Sequence, residues 1–177
     1  MDGRLEGFSE EQTIAKIEER KDFVEAVVIS GGEPTIYRNI VSFLRQIRNI
    51  GLKMKLDTNG YRYDILYRII AERLVDYIAM DIKTSLSRYS VACGVGVDVS
   101  NIIRSVEAIK KSGIDHEFRT TCVPLLVEKE DIKSIREMTR GSVHKLQNFS
   151  AEKVLDPVFS SVIPYSQETM EKMRMIV

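Results

Sequence analysis

The sequence predicts an α/β protein with parallel strands, on three observations. Short apolar runs rich in β-branched residues recur along its 177 residues, a helix-like stretch follows each run, and polar residues cluster directly after the runs. The runs are Ala26 to Ile29, Met54 to Leu56, Tyr77 to Met80, Phe118 to Val123 and His144 to Phe149. Strands separated by single helices run parallel, because a right-handed crossover returns the chain to the same edge of the sheet. A complete eight-fold barrel takes roughly 250 residues. The chain therefore holds part of a barrel or a small doubly wound sheet.

The helices follow in order. Ser9 with Gln12 forms a capping box ahead of Ile14 and Ile17. After the first run, Ile40, Phe43, Leu44 and Ile47 share one face, and Gly51 stands where a left-handed C-terminal residue belongs. Asp64 is expected to cap the helix after the second run. Ser100 is expected to cap one carrying Ile102, Val106 and Ile109 that stops before Gly113, and Asp131 the next. Ser166 starts a last helix with Met170, Met173 and Ile176, a methionine stripe that reads as core packing. No low-complexity tract, charge block or linker interrupts this order, so residues 1–177 read as one domain.

Composition excludes several classes of function. With 26 basic and 26 acidic side chains, the chain lacks the basic excess of a nucleic-acid surface. Its longest apolar stretches, such as Ala26-Val27-Val28-Ile29, fall far short of the ~20 residues that span a bilayer, and Met1-Asp2-Gly3-Arg4 does not open a signal peptide. A cytoplasmic protein is expected. Cys93 and Cys122 have no C-x-x-C partner, so neither a disulfide framework nor a four-thiolate metal site is readable from them.

The chemistry collects at the strand ends, where parallel α/β folds bind ligands. The first run ends in Ser30-Gly31-Gly32-Glu33-Pro34, the second in Asp57-Thr58-Asn59-Gly60 and the third in Asp81-Ile82-Lys83. The fourth carries Arg119, Thr120 and Thr121 after His116 and Glu117, and the fifth includes Gln147. Each piece alone has a bland reading as a turn or a surface pair. Arg119 inside an apolar strand resists it, since a charge there needs a partner. Taken together, the acids accept from an ammonium and Lys83 and Arg119 pair a carboxylate, while the glycines let a ligand approach the backbone. That set suits an amino-acid moiety. A phosphate loop does not fit, because no G-K-[ST] follows Gly32.

These residues resemble the radical S-adenosylmethionine (SAM) superfamily, and within it the activating enzymes of glycyl radical enzymes, of the anaerobic ribonucleotide reductase and pyruvate formate-lyase type. Ser30-Gly31-Gly32-Glu33-Pro34 is similar to the family's GGE motif, Asp57-Thr58-Asn59-Gly60 to its DTNG strand end and Asp81-Ile82-Lys83 to its D-x-K motif. Glu117-Phe118-Arg119-Thr120-Thr121 resembles its EFRTT strand, and Leu146-Gln147 with Phe149 its LQ-x-F strand. The likeness runs in order from about Gly7 to the C-terminus.

The resemblance implies an incomplete (β/α) barrel of the six-fold type. Gly31, Gly32 and Glu33 would bind the SAM amino group, and Lys83 and Arg119 its carboxylate. Asp57, Thr58 and Asp81 would line the same pocket, by bonding the ligand or a nearby cation, with Gln147 near the nucleoside. In the family a [4Fe-4S] cluster, reduced by a donor such as flavodoxin or ferredoxin, cleaves SAM, and the 5′-deoxyadenosyl radical takes hydrogen from a glycine of the partner enzyme.

The family's cluster sits on a C-x3-C-x2-C loop after the first strand, and this sequence has no such loop. The resemblance therefore implies a chain lacking the first βα unit, with Met1 falling between the cysteine loop and the next helix, and inactive as it stands. A strand edge at Ala26 to Ile29, left without its neighbour, is expected to favour association. The alternatives are a cluster-less module that binds SAM or a partner, and an unrelated α/β enzyme using Asp57, Asp81 and Lys83 in acid-base or Schiff-base chemistry.

Overall fold

A computed structural model describes residues 7–152, 154 and 156–176, so the expectation placed on Met1 lies outside the described residues. The strands β1 (Ala26–Ile29), β2 (Lys53–Thr58), β3 (Tyr77–Asp81), β4 (Asp115–Cys122) and β5 (Val143–Asn148) form one sheet in sequential order. Every neighbouring pair is parallel. The helices are α1 (Glu10–Glu19), α2 (Ile40–Ile50), α3 (Tyr63–Ala71), α4 (Tyr89–Cys93), α5 (Val99–Lys111), α6 (Lys129–Met138) and α7 (Gln167–Arg174). A sequential order wound by right-handed crossovers keeps the helices on one face, with no point where the strand order reverses. The sheet is thus an open part of a barrel, and the doubly wound alternative is set aside.

The two faces of the sheet differ in chemistry because side chains alternate along a strand. On the helix side, Ile29, Leu56, Ile78, Met80 and Phe118 pack beneath Leu44 and Ile47 of α2, Leu66 and Ile69 of α3 and Ile102 and Ile109 of α5. Burying each such side chain contributes about 1.5–3 kcal/mol. A second cluster joins Cys122, Val127, Ile132 and Leu146 to Met170 and Met173 of α7, so the methionine stripe is core. The opposite face carries Lys55, Asp57, Tyr77, Asp81, Glu117, Arg119 and Lys145 at the alternate positions. It has no helical layer among the described residues, and its polarity is the physical counterpart of that openness.

Several local expectations hold and others shift. Ser9 accepts from the Gln12 N–H in a capping box, Ser166 accepts from the Thr169 N–H, and Gly51 closes α2 in the left-handed conformation with φ of +93°. Asp98, not Ser100, caps α5, accepting the Ser100 N–H at 3.0 Å. Asp131 sits one turn inside α6 and accepts the Glu128 N–H at 2.8 Å. Asp64 lies in the first turn of α3 and pairs with Arg62 at 2.9 Å instead of capping it. β4 begins at Asp115, three residues before the expected start, because its leading residues alternate onto the polar face and so carry no apolar signal. No helix of the described residues is long and apolar enough to cross a membrane.

Candidate functional site

The site is built from the loops at the carboxyl ends of β1 to β4. After Ile29 the chain turns through Gly31, whose φ of +140° lies in a region L side chains rarely adopt. A Cβ on Gly31 or Gly32 would meet no atom within 4 Å, so the backbone here faces open space. Glu33 then enters a 3₁₀ turn at Pro34–Ile36. Its Oε1 accepts from the Thr35 N–H at 3.1 Å, the Thr35 hydroxyl at 2.5 Å and the Thr58 hydroxyl at 2.7 Å, and its Oε2 accepts from the Asn59 N–H at 2.6 Å. The carboxylate thus fastens the loop after β1 to the loop after β2. Thr58 Oγ1 accepts the Gly60 N–H at 3.1 Å, and the Gly60 carbonyl accepts the Ser105 hydroxyl of α5 at 2.6 Å. Gly60 turns there with φ of +71°.

Beside this fastened loop lies a run of alternating charge. Asp81 and Arg119 are register partners, and the Arg119 Nε–H donates to Asp81 Oδ1 at 2.8 Å. Arg119 Nη1 stands 3.5 Å from Asp57 Oδ1, Lys55 Nζ also 3.5 Å from that oxygen, and Lys83 Nζ 3.4 Å from Asp81 Oδ2. The Ser30 hydroxyl reaches Asp57 Oδ2 at 3.4 Å. The Arg119 side chain is only 14% exposed. Burial works against its charge, but the hydrogen bond and charge of Asp81, then Asp57, outweigh it and hold the guanidinium pKa above its ordinary value. Asp57 Oδ1 is buried and accepts no hydrogen bond, so an oxygen flanked by two cations still lacks a directed donor.

Nearer the amino ends of the strands, Glu117 Oε2 accepts from the Tyr77 hydroxyl at 3.0 Å and lies 2.5 Å from Lys145 Nζ. Burial raises the Glu117 pKa, and the Lys145 and Tyr77 hydrogen bonds outweigh burial and leave it below the ordinary carboxylate range. The charge alternation therefore continues down the open face.

Of the residues singled out in the sequence, Gly31, Gly32, Glu33, Asp57, Thr58, Asp81, Lys83 and Arg119 converge at one end of the sheet. Gln147 stands farther along the same open face, on β5 two positions beyond the register partner of Arg119, where its Oε1 accepts from the Thr121 hydroxyl at 3.3 Å. His116 bonds Ser142 Oγ at 2.9 Å and the Ile114 carbonyl at 2.8 Å, and His144 Nε2 bonds Thr120 Oγ1 at 2.9 Å, so both serve local structure. Lys55 is absent from the sequence-based set, and Ser30 stands in its strand-end motif without a role of its own. The signal for Lys55 was its position two residues before Asp57, which places both on one face of β2.

The donor set fits a zwitterion. The Asp57 carboxylate is still 20% exposed and can accept from an ammonium, the glycine backbone nearby is uncovered, and Lys83 and Arg119 keep N–H groups beyond those given to Asp81. The same residues do not fit a [4Fe-4S] cluster. Cys93 lies exposed at the end of α4, while Cys122 lies buried on the helix face of β4 with its thiol pKa pushed up to about 11 by burial. No three His, Cys, Asp or Glu side chains among the described residues gather as metal ligands.

Residues 2–140 match the Radical SAM superfamily. A Methanocaldococcus jannaschii protein whose name places it among the glycyl-radical enzyme activating enzymes is 31% identical over 156 residues, which cover 84% of this chain and 65% of that protein. The chain thus spans just under two thirds of that relative. In fold it is similar to a domain of a pyruvate-formate lyase-activating enzyme from Bacteroides vulgatus, with TM-score 0.60, 18% identity and coverage of 85% of this chain and 91% of that one. It is likewise similar to Streptococcus suis SuiB bound to S-adenosylmethionine, with TM-score 0.68, 17% identity and coverage of 96% of this chain and 38% of that one. With the ordered motifs on one open strand-end surface and the match over residues 2–140, the chain belongs to the Radical SAM superfamily.

Proposed function

We propose that this chain binds the methionine moiety of SAM at the carboxyl ends of β1 to β4 and belongs to an activating enzyme whose protein substrate is a glycyl radical enzyme, such as anaerobic ribonucleotide reductase or pyruvate formate-lyase. The observation that carries the reading is the charged run Asp57, Arg119, Asp81 and Lys83 beside an uncovered double-glycine loop, with Asp57 Oδ1 lacking a donor. The ammonium goes to the exposed part of the Asp57 carboxylate and the backbone of Gly31 and Gly32. The carboxylate goes to Lys83 and Arg119, whose partner Asp81 holds the guanidinium in place. Thr58 and Glu33 act as positioning residues: their bonds fix the loop that presents the glycines. Bound SAM would yield a radical only on one-electron reduction by a [4Fe-4S] cluster, which these residues do not hold, so the part of this chain is to bind and orient SAM. Superfamily membership and the similarity to a relative named as an activating enzyme support this reading.

Calorimetric titration of SAM into the chain and into Lys83→Ala and Arg119→Ala tests it. Micromolar to millimolar binding that falls about tenfold or more in each variant is expected, since each removes a charge-assisted bond worth roughly 1.5–3 kcal/mol. Equal binding in all three refutes the site.

One observation favours a second reading, a module that binds SAM or a partner without a cluster of its own: the two cysteines lie on different elements, one exposed and one buried. Anaerobic reconstitution with iron and sulfide separates the two. A chain that takes up a stoichiometric cluster excludes the second reading.

A further inference from the structure

Next to Lys83, residues of the loops after β2 and β3 and of α4 and α5 line a pocket of about 240 Å³. Its floor is apolar, made by the ring of Tyr89 and by Ile102. Both are buried, and the Tyr89 hydroxyl is fixed by accepting the Lys83 N–H at 3.3 Å. Two polar side chains, Asn59 and Lys83, also line it. The Asn59 Oδ1 already accepts the Tyr61 N–H at 2.9 Å, which leaves its amide NH₂ to donate, and Lys83 adds an ammonium. The polar part of the lining therefore offers donors to a ligand that brings acceptors, such as peptide carbonyls.

Size narrows the occupant further. Pockets for whole small molecules run from roughly 300 to 1,000 Å³. A space of 240 Å³ is too small for a nucleoside with its sulfonium chain and suits one large apolar side chain. We infer that this pocket is the subsite for a single apolar or aromatic side chain of the protein substrate, whose backbone carbonyls meet Asn59 and Lys83. It stands on the same strand-end surface as the charged run, so a substrate segment anchored here lies beside the SAM site. The inference rests on the protein-substrate reading above and names the part of the substrate that the chain recognises.

Cys93 lines the pocket and provides the readout. It is the exposed one of the chain's two cysteines; Cys122 is fully buried, out of reach of the reagent. The rate of Cys93 alkylation by iodoacetamide is measured with N-acetyl-phenylalaninamide, with N-acetyl-alaninamide and with SAM. Half-protection by the phenylalanine probe is expected at a concentration about tenfold or more below that of the alanine probe, the ratio set by burying the larger side chain. Gly96 also lines the pocket, and a Cβ there meets no atom within 4 Å. Gly96→Phe should therefore fill the pocket without backbone strain and abolish the response to the phenylalanine probe.

Equal protection by the two amides overturns the inference, as does protection by SAM alone, which would hand the pocket to the cofactor. Titrating SAM by calorimetry in parallel keeps the two readings apart. Selective protection by the phenylalanine probe in a chain that binds no SAM removes the cofactor site and leaves the side-chain pocket standing.

Discussion

Replacing Glu33 by Gln separates a residue that shapes the site from one that touches the ligand. The carboxylate accepts from four donors, and the shortest bonds are to the Thr35 hydroxyl at 2.5 Å, the Asn59 N–H at 2.6 Å and the Thr58 hydroxyl at 2.7 Å. An amide keeps one oxygen. If that oxygen stays with Thr35 and Thr58, the amide NH₂ faces the Asn59 N–H, donor against donor. The lost bond is charge-assisted and worth roughly 1.5–3 kcal/mol, and the remaining bonds fall to neutral strength. Because the loop is only partly buried, water recovers some of this, and a loss of about 2 kcal/mol is expected for Glu33→Gln. Urea unfolding monitored by circular dichroism reads it directly, as a lower midpoint at unchanged slope. SAM affinity should fall alongside, because the loop that presents Gly31 and Gly32 is loosened. Unchanged stability together with lost SAM binding would refute the reasoning, since the carboxylate would then contact the ligand and not the loop.

Three further outcomes follow from the same geometry. His144, whose ring is largely buried with Nδ1 lacking a partner, has its pKa pushed down to about 4, chiefly by burial and then by Arg136. The unfolded chain takes up that proton near the ordinary histidine value and the folded chain does not, so stability should decline as pH falls from about 6.5 toward 4, by about 2 kcal/mol after allowance for partial exposure. Urea midpoints at pH 7 and pH 5 check this, and His144→Gln should flatten the dependence. Arg119→Lys replaces a fork that reaches both Asp81 and Asp57 with a point charge, so it should weaken SAM binding about tenfold by calorimetry while the chain stays folded. Gly60→Ala places a side chain at φ of +71° and its Cβ against the Met80 thioether end, and should cost about 1–2 kcal/mol, read as a lower thermal midpoint.

Legibility in the sequence tracked physical redundancy. β1 was readable to the residue, because Ala26 to Ile29 is apolar on both faces. β4 was not, because Asp115 and Glu117 belong to the open face and look like loop residues until their partners Tyr77 and Val143 are known. The capping box at Ser9 and Gln12 is a local pattern and was visible. The cap at Asp98 was missed because Ser100, equally suited by type, lies two residues on. At the site, the convergence of Asp57, Asp81, Lys83 and Arg119 followed from strand-end position alone. The commitment of Glu33 to Thr35, Thr58 and Asn59 did not, since two of those contacts cross 25 and 26 positions of chain. Nor did the pocket beside Lys83, which depends on α4, a five-residue helix with no apolar period to announce it.

Parallel sheets ordinarily bury both faces, and a charged open face is stable only if its charges are mutually compensated. The alternation along Asp57, Arg119, Asp81 and Lys83 provides that compensation without a ligand, so the site need not collapse or recruit counter-ions when empty. It also sets how a zwitterion enters. An ammonium at Asp57 takes a place that Arg119 and Lys55 approach only to 3.5 Å, and a carboxylate near Lys83 and Arg119 shares cations with Asp81. The amino and carboxylate groups together therefore bring no net charge to the surface, and the only charge that SAM adds is its sulfonium. Attraction between like-sized opposite charges at contact is screened little by salt compared with long-range steering. Affinity for the methionine moiety should accordingly change little between low and physiological ionic strength, whereas a site that relied on net surface charge would lose affinity steeply over that range. Calorimetric titrations at several salt concentrations distinguish the two, and a steep dependence would show that the internal pairing does not govern binding.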